Sequence, residues 1–479
     1  MFKGFIEEKE ELFSKSDTDI CPKKDETLDS IVFCKPTLDD IEIIIITIPI
    51  TIDNIDIFII GDETVFLYGF DFINLLAIYD SKFMSMKLHL AIHKITFFLI
   101  FNVLCNFSFS QDINYHGVGA NQTNDYIEDL INLNVGFVGN HTSLIENKKG
   151  KYTHTVDSLI SLKIGIKRIF SPEHGFRGEA DAGELINNNI DPKTGIKIIS
   201  LYGKNKKPTN KQLKGLDVII FDIQDVGARF YTYISTLHYV MEAAAENNIK
   251  LIVFDRPNPN GHYVDGPLRK LDLKSFIGMH PVPIVHGMTI GEYALMINNE
   301  GWLESNVKCD LKIIQMKNYN RYITYNLPVK PSPNLPNHKS INLYPSLCLF
   351  EGTNVSVGRG TNLQFQVIGN PNWENYDFTF TPKSMPGAKY PKHINSKCYG
   401  LDLRKYEKLN EINLKWLILA YNNSKNKTSF FLESFNKLAG TYDLKKQIIE
   451  GKNEKQIKKS WKSDLKKFNN IRVKYLLYD

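Results

Sequence analysis

Arginine is scarce in this chain. There are nine Arg against 49 Lys, and Lys, Asn and Ile are abundant throughout, as a coding bias would leave them. Four of the nine (Arg177, Arg229, Arg256 and Arg359) nevertheless fall in loops rich in Gly, Pro and Asp. Arg carries a planar fork that Lys lacks, suited to carboxylate recognition. Cysteine is sparse too. Cys21, Cys34 and Cys105 lie in the first 110 residues, and only Cys309, Cys348 and Cys398 follow, widely spaced. No Cys-x-x-Cys or Cys/His metal spacing is present, so neither a zinc site nor a disulfide framework is suggested. Phosphate-binding patterns are also missing. A dinucleotide site needs Gly-x-Gly-x-x-Gly between a strand and a helix. Gly117-Val118-Gly119 and Gly358-Arg359-Gly360 both lack the third glycine in register. With no Walker motif and no Gly-x-Ser-x-Gly elbow, the nucleotide and serine-hydrolase readings lose support. No cofactor and no metal is expected.

What is present suits a globular protein. The 479 residues allow two or three domains, and 43% hydrophobic with 23% charged content is ordinary. The net charge of +5 is unevenly spread. Residues 1–110 hold 9 Lys and no Arg against 18 acidic side chains, a net of −9, which leaves +14 on the remainder. A basic body suits an anionic partner such as a wall polymer, nucleic acid or acidic sugar, although the coding bias would also produce it.

The first 110 residues differ from the rest. Residues 1–40 are polar and acidic. Ile41 to Ile60 is Ile-rich but carries Glu42, Asp53 and Asp56, a poor membrane span. Then Met86-Lys87-Leu88-His89 precedes the apolar run Ile95 to Leu104, and Ser108-Phe109-Ser110 ends it before Gln111. That is a basic n-region, an apolar h-region and a small-x-small cleavage site. Residues 86–110 are read as a signal peptide, Met86 as the true start, and 1–85 as an upstream extension without a functional fold. The alternative is a genuine N-terminal region whose apolar run is an uncleaved anchor.

From about residue 120 strands and helices alternate. Asn124 to Leu133 reads as a short helix, Val135 to Gly139 as a strand, Val156 to Leu162 as a helix and Ile164 to Phe170 as a strand. Strands follow at Ile196 to Leu201, Leu216 to Phe221, Lys250 to Phe254 and Val282 to Val285, with a long helix over Tyr231 to Asn247. Thr289-Ile290-Gly291-Glu292 has capping-box spacing and opens a helix to Asn299. Continuous apolar strands with helices between them predict an α/β fold around a parallel sheet buried on both faces. Each strand empties into a polar loop rich in Gly and Pro. Asn140, Glu173, Asp225, Arg229, Asp255, Arg256 and His286 should therefore gather on one rim, where open α/β sheets bind ligands.

A second region starts near residue 300. Leu311 to Met316 reads as a strand and Pro331 to Pro336 as a rigid extended loop, since three prolines forbid helix. Glu351, Asn354 and Arg359 place a carboxylate, an amide and a guanidinium within nine residues, among glycines. Beyond about 400 the pattern is helical and Lys-rich (Tyr406 to Asn422, Phe430 to Leu438, Leu444 to Glu450, Glu454 to Leu465).

Several long motifs taken together resemble the NamZ/YbbC family of exo-acting β-N-acetylmuramidases. They are Ser171–Gly178, Asp222–Tyr233, Asp255–Pro267, His286–Glu292, Pro331–Pro336 and Glu351–Thr361. The resemblance covers roughly Val135 to Pro371 and is weaker beyond. It implies a Rossmann-like catalytic domain, placed at 111–300, and a smaller α+β C-terminal domain at 301–479 that completes the cleft. It also implies release of N-acetylmuramic acid from the non-reducing end of peptidoglycan fragments, and it puts the family's glutamate motif on Glu173. The implied partner is a muropeptide or disaccharide, with no nucleic acid and no stable membrane span in the mature, secreted or periplasmic chain.

The chemistry has its own logic. Glycosidic cleavage needs a general acid, usually with a second carboxylate as base or nucleophile. Glu173 is the candidate acid, because a loop carboxyl beside Phe170 and Phe176 is placed for a raised pKa. Asp225 and Glu351 are the candidate partners, with Glu179 and Glu184 behind them, and His174 or His286 is an alternative proton carrier. The lactyl carboxylate of N-acetylmuramic acid calls for an Arg, from Arg177, Arg229 or Arg359. Tyr231 and Tyr233 are placed to stack on the sugar or bond its acetamido group, and Asn140, Asp255, Arg256, Asn258, His286 and Asn354 complete the candidate wall. Structural roles compete with these: Glu173 pairing Arg177, Asp225 capping the Tyr231 helix or pairing Arg229, and Asp255-Arg256 as a loop-fixing ion pair. A wall-binding module with a degenerate site, and cleavage of the same substrate by elimination, are the rival functions.

Overall fold

The structure, a computed structural model, describes residues 117–147, 150–173, 175–177, 190–323 and 325–479, with four short strands between residues 50 and 65. The signal-like segment Met86–Ser110, His174, Glu179 and Glu184 lie outside the described residues. The chain divides into two units, Met1–Ser110 and Gln111–Asp479. In the first, Ile50–Ile52 pairs antiparallel with Ile55–Ile57, and Ile59–Ile60 with Thr64–Val65.

The second unit is built on one six-stranded sheet. Its strands are β1 (Asn134–Gly139), β2 (Gly165–Ser171), β3 (Ile198–Ser200), β4 (Val218–Asp222), β5 (Lys250–Phe254) and β6 (Leu311–Ile314). Their order is β3-β2-β1-β4-β5-β6, and every neighbouring pair is parallel. The chain leaves β1 on one side, builds β2 and β3, and returns on the other side with β4. The topological switch therefore falls between β1 and β4, in the Rossmann-like order. The sheet runs across residue 300, since its edge strand β6 lies beyond it.

Strand side chains alternate between two cores. Val138, Phe170, Ile219, Phe221, Leu251 and Val253 pack in one core with α2 (Tyr233–Glu246) and α3 (Ile290–Asn299). Val135, Phe137, Ile169, Val218, Ile220, Ile252 and Phe254 pack in the other with Tyr126, Leu130 and α1 (Thr155–Ser161). Burial on both faces explains why the strands read as unbroken apolar runs.

Three sequence expectations need correction. Val282 to Val285 is not a sheet strand; it makes only single bridges, from Val285 to Ala228 and Asp265. Pro281 and Pro283 flank Val282, and a proline cannot donate to a ladder. Asn124 to Leu133 is not a continuous helix but includes two 3-10 turns, Thr123–Asp125 and Ile127–Asp129. Tyr126 pins this segment, its hydroxyl on Ala120 O at 2.8 Å and its ring 4.4 Å from Phe254. Helix at Tyr406 to Asn422 forms only over its last part. Asn342 holds Leu409 by both backbone groups, at 2.7 and 2.9 Å, which fixes that residue in a non-helical path.

The C-terminal part adds α4 (His338–Leu347), with Pro345 inside it, and an antiparallel sheet of β7 (Val367–Asn370), β8 (Phe378–Phe380) and β9 (Cys398–Asp402), in the order β7-β9-β8. Helices α5 (Lys415–Asn423), α6 (Phe435–Ala439), α7 (Asp443–Ile449) and α8 (Glu454–Arg472) follow. Ile457, Trp461 and Phe468 form the buried stripe of the Lys-rich α8. Among the described residues no helix is long and apolar enough to cross a membrane.

Candidate active site

The carboxyl ends of β1 and β4 meet a network built from Asn140. Its Oδ1 accepts from Thr142 N at 2.9 Å and Thr142 Oγ1 at 2.6 Å, and its Nδ2 donates to the Tyr233 hydroxyl at 2.8 Å. Thr142 Oγ1 in turn accepts from Gln224 N at 3.0 Å, tying the β1 loop to the β4 loop. Val156 N donates to Nδ1 of His154 at 3.2 Å, so its Nε2 carries the proton and donates to Asn140 O at 2.9 Å. Burial holds His154 down to about 4, consistent with a neutral ring.

Glu173 stands two residues past the end of β2 and is half-buried. Thr232 Oγ1 donates to its Oε2 at 3.0 Å. The Tyr202 hydroxyl bonds it as well; burial first, then the Glu173 charge, push that hydroxyl up to about 12. Among the described residues no cation pairs with Glu173. Arg177, its expected structural partner, is held by Asp191 (Nε at 3.0 Å, Nη2 at 2.8 Å) and by Asp157 at 3.3 Å. Arg177 is thereby also withdrawn from carboxylate recognition.

Asp225 lies deeper. Its Oδ2 accepts from Gly227 N at 2.7 Å, while its buried Oδ1 has no partner among the described residues. Burial pushes its carboxyl up to about 7. The Gly227 turn has φ +75, and a Cβ there would run into the Asn258 amide, so only glycine serves. His286 Nε2 sits 3.9 Å from Asp225 Oδ2 and is likewise unpartnered, while its Nδ1 accepts from Met288 N at 3.3 Å. Burial, then the Arg472 and Arg229 charges, hold His286 down to about 3. This is a neutral imidazole facing a carboxyl, both with spare hydrogen-bonding capacity. Asp225 neither pairs Arg229 nor caps the helix beginning at Tyr233.

An aromatic floor runs from Asn140 toward the C-terminal part. Tyr233 and Tyr231 are 4.9 Å apart edge to face, Tyr231 and Tyr344 6.0 Å, and Tyr344 and Phe365 4.9 Å. Tyr231 donates its hydroxyl to Pro331 O at 2.8 Å. Burial, then the charges of Glu173 and Asp225, raise the Tyr233 hydroxyl. Both tyrosines are buried, so they support the crevice more than they line it.

Four expected binding residues serve the scaffold instead. Arg229 is fully buried and donates to the carbonyls of Pro267, Val282, Leu438 and Ala439 at 2.7–3.0 Å, stapling the sheet domain to α6. Burial without a counter-charge lowers it to about 9. The Arg256 guanidinium bonds Asp222 at 2.6 Å and Leu144 O at 3.1 Å, and it is the backbone N of Arg256 that reaches the Asp255 carboxyl. Asp255 accepts from Arg256 N, Gly291 N, Thr289 Oγ1 and the Tyr478 hydroxyl at 2.7–2.9 Å, anchoring the capped start of α3 and the chain's end. Asn258 donates to Met288 O at 2.8 Å.

Glu351 and Arg359 do meet, with Nε to Oε1 at 3.2 Å, both partly exposed. Asn354 is half-buried beside them in sequence, its carbonyl accepting from His393 Nε2 at 2.7 Å and Asn370 Nδ2 at 3.0 Å. Sequence reasoning missed Tyr202 and Thr232. They stand at a strand end and inside a quoted motif, where a hydroxyl census would have found them. Among the described residues no three His, Cys, Asp or Glu side chains converge to hold a metal ion.

Comparison with known proteins gives concordant matches. Residues 135–339 match the family model described as exo-beta-N-acetylmuramidase NamZ, N-terminal, and residues 342–478 the corresponding C-terminal model. The peptidoglycan beta-N-acetylmuramidase NamZ of Bacillus subtilis (strain 168) is 39% identical over 365 residues, 71% of this chain and 87% of that protein. A crystal structure of a DUF1343 family protein from Bacteroides fragilis NCTC 9343 is 47% identical with a TM-score of 0.70, covering 76% of this chain and 98% of its own. A second DUF1343 structure from the same organism is 26% identical with a TM-score of 0.63 over the same shares. The chain belongs to the NamZ family of exo-β-N-acetylmuramidases.

Proposed function

We propose, from that membership, that this chain is an exo-acting glycoside hydrolase that releases N-acetylmuramic acid from the non-reducing end of peptidoglycan fragments, with Glu173 as its general acid. The observation that carries the assignment is the setting of Glu173. It is a half-buried carboxyl at the rim of a parallel sheet, held by the hydroxyls of Thr232 and Tyr202 and paired with no cation among the described residues. In its protonated form it gives a proton to the glycosidic oxygen as the C1–O bond breaks. The Thr232 and Tyr202 hydroxyls hold the carboxyl in place through the transfer. Water then adds its oxygen to C1 and loses a proton, giving the free sugar.

The test uses a β-linked N-acetylmuramic acid–N-acetylglucosamine disaccharide and mass spectrometry of the products. Hydrolysis yields full-mass N-acetylmuramic acid; a product lighter by one water would move the assignment to elimination. A glycan capped at its non-reducing end by N-acetylglucosamine should resist release, and cleavage within it would contradict an exo action.

The same reading places the mature protein outside the cytoplasm, secreted or periplasmic, through the segment Met86–Ser110. Its support is the n-region, h-region and small-x-small order in the sequence. N-terminal sequencing of the native protein should find a first residue near Gln111; a start upstream of Met86 would overturn it.

A further inference from the structure

We propose that Arg359 and Lys392 form a carboxylate clamp that recognises the lactyl group of N-acetylmuramic acid, and that Glu351 positions this clamp and takes no part in bond cleavage. The inference rests on the muramidase reading and assigns the specificity of the same site.

The argument starts from the unspent donors. Among the described residues Arg359 gives only its Nε to protein, to Glu351 Oε1 at 3.2 Å. No described residue accepts from either Nη, and the side chain is 29% exposed. Its guanidinium lies over Phe365 at 5.3 Å, so its plane is fixed from one side by a ring and from its Nε edge by a carboxylate. What remains is an Nη edge without an acceptor among the described residues, on a partly exposed side chain. Lys392 Nζ donates to Phe350 O at 2.8 Å and Glu351 O at 3.0 Å. An ammonium has three protons, so one is unspent. Burial, and the Arg359 charge, lower the Lys392 pKa against the opposing pull of Glu351.

The charge balance points the same way. Two cations stand by one carboxylate: Arg359 bonds it, and Lys392, held by backbone carbonyls, only feels its charge, which leaves a surplus positive charge in a partly desolvated place. Such a place favours an anion, and a guanidinium edge matches a carboxylate bidentately. It also borders the proposed catalytic floor. The Tyr344 hydroxyl feels both Arg359 and Glu351, and its ring joins Phe365 at 4.9 Å to Tyr231 at 6.0 Å. N-acetylmuramic acid differs from N-acetylglucosamine by the lactyl ether, whose carboxylate is the anion such a clamp would select. Glu351 is already committed to Arg359, which is the geometry of an orienting partner.

Equilibrium binding tests the clamp without relying on turnover. The probes are N-acetylmuramic acid and its lactyl carboxamide, titrated calorimetrically into the full chain. The parent should bind the acid more tightly, by about 10- to 100-fold, the range for a charged hydrogen bond. Arg359→Gln and Lys392→Gln should weaken the acid and leave the amide unchanged, and Lys392→Arg should restore the preference. Equal affinity of the parent for acid and amide, or parallel losses on both probes, would overturn the clamp. With an aryl β-N-acetylmuramide, Glu351→Gln should retain kcat within a few-fold while KM rises; a collapse of kcat would return Glu351 to the catalytic machinery. Failure of the parent to cleave any muramide would count against the muramidase reading alone, since the binding preference is read separately.

Discussion

Asp225→Asn tests how the switch-point crevice is built. The Asp225 carboxyl is buried, titrates near pH 7 because of that burial, and leaves Oδ1 without a partner. An unfolded aspartate titrates near ~3.9. Between about pH 4 and pH 7 the folded chain thus keeps a proton that the unfolded chain has lost, and stability falls as pH rises. The contribution is fully present below about pH 4 and is lost as pH rises through about 7. At ~1.4 kcal/mol per tenfold change in proton activity, that span sets a scale of about 4 kcal/mol. Asn removes the ionisation and keeps an oxygen to accept from Gly227 N. It also puts an amide N–H where Oδ1 lacks a partner, at a cost of about 1–3 kcal/mol. The variant should therefore be more stable than the parent at pH 8 by about 1–3 kcal/mol, an advantage that shrinks by about 2.7 kcal/mol on going down to pH 5, where the two come within about 1.5 kcal/mol of each other. Urea titrations followed by circular dichroism at pH 5, 6, 7 and 8 measure this. Asp255, also raised to about 7 by burial, keeps part of the slope in the variant. Parallel stability curves for parent and variant would refute the reasoning.

Further predictions concern the scaffold. Arg229→Met should destabilise the chain by more than about 1–3 kcal/mol, the cost of one buried acceptor left unsatisfied, because four carbonyls lose their donor; an unchanged denaturation midpoint would contradict the staple. Gly227→Ala should cost more than about 1 kcal/mol, since it combines a positive φ with a clash on Asn258, and a neutral result would show that this turn relaxes freely.

Much of the fold was legible because burial on both faces writes itself as apolar runs. β1, β2, β4 and β5 stand where such runs predict them, and Thr289 to Glu292 forms its capping box. The strand order was not legible. All the central strands are equally apolar, so nothing local says that β4 returns beside β1. Val282 to Val285 looked like a strand by its side chains and failed through its prolines. The candidate site divides by the kind of partner each residue takes. Glu173, Asn140 and Asp225 stand at strand ends on the predicted rim. Arg229 was singled out for its rarity, yet its acceptors at Leu438 and Ala439 lie over 200 residues away and are backbone groups, which leave no trace in composition. Lys392 reaches Phe350 and Glu351 through the C-terminal fold and is equally silent in sequence.

The role of Glu173 is most directly tested by the leaving group. A sugar leaving group needs a proton, whereas 4-nitrophenol does not. Glu173→Gln should lose at least ~100-fold on the N-acetylmuramic acid–N-acetylglucosamine disaccharide, the scale of general acid catalysis. On 4-nitrophenyl β-N-acetylmuramide it should lose far less in the glycosidic cleavage step. Equal losses on both substrates, or full activity of the variant on the disaccharide, would contradict the assignment of Glu173 as the acid.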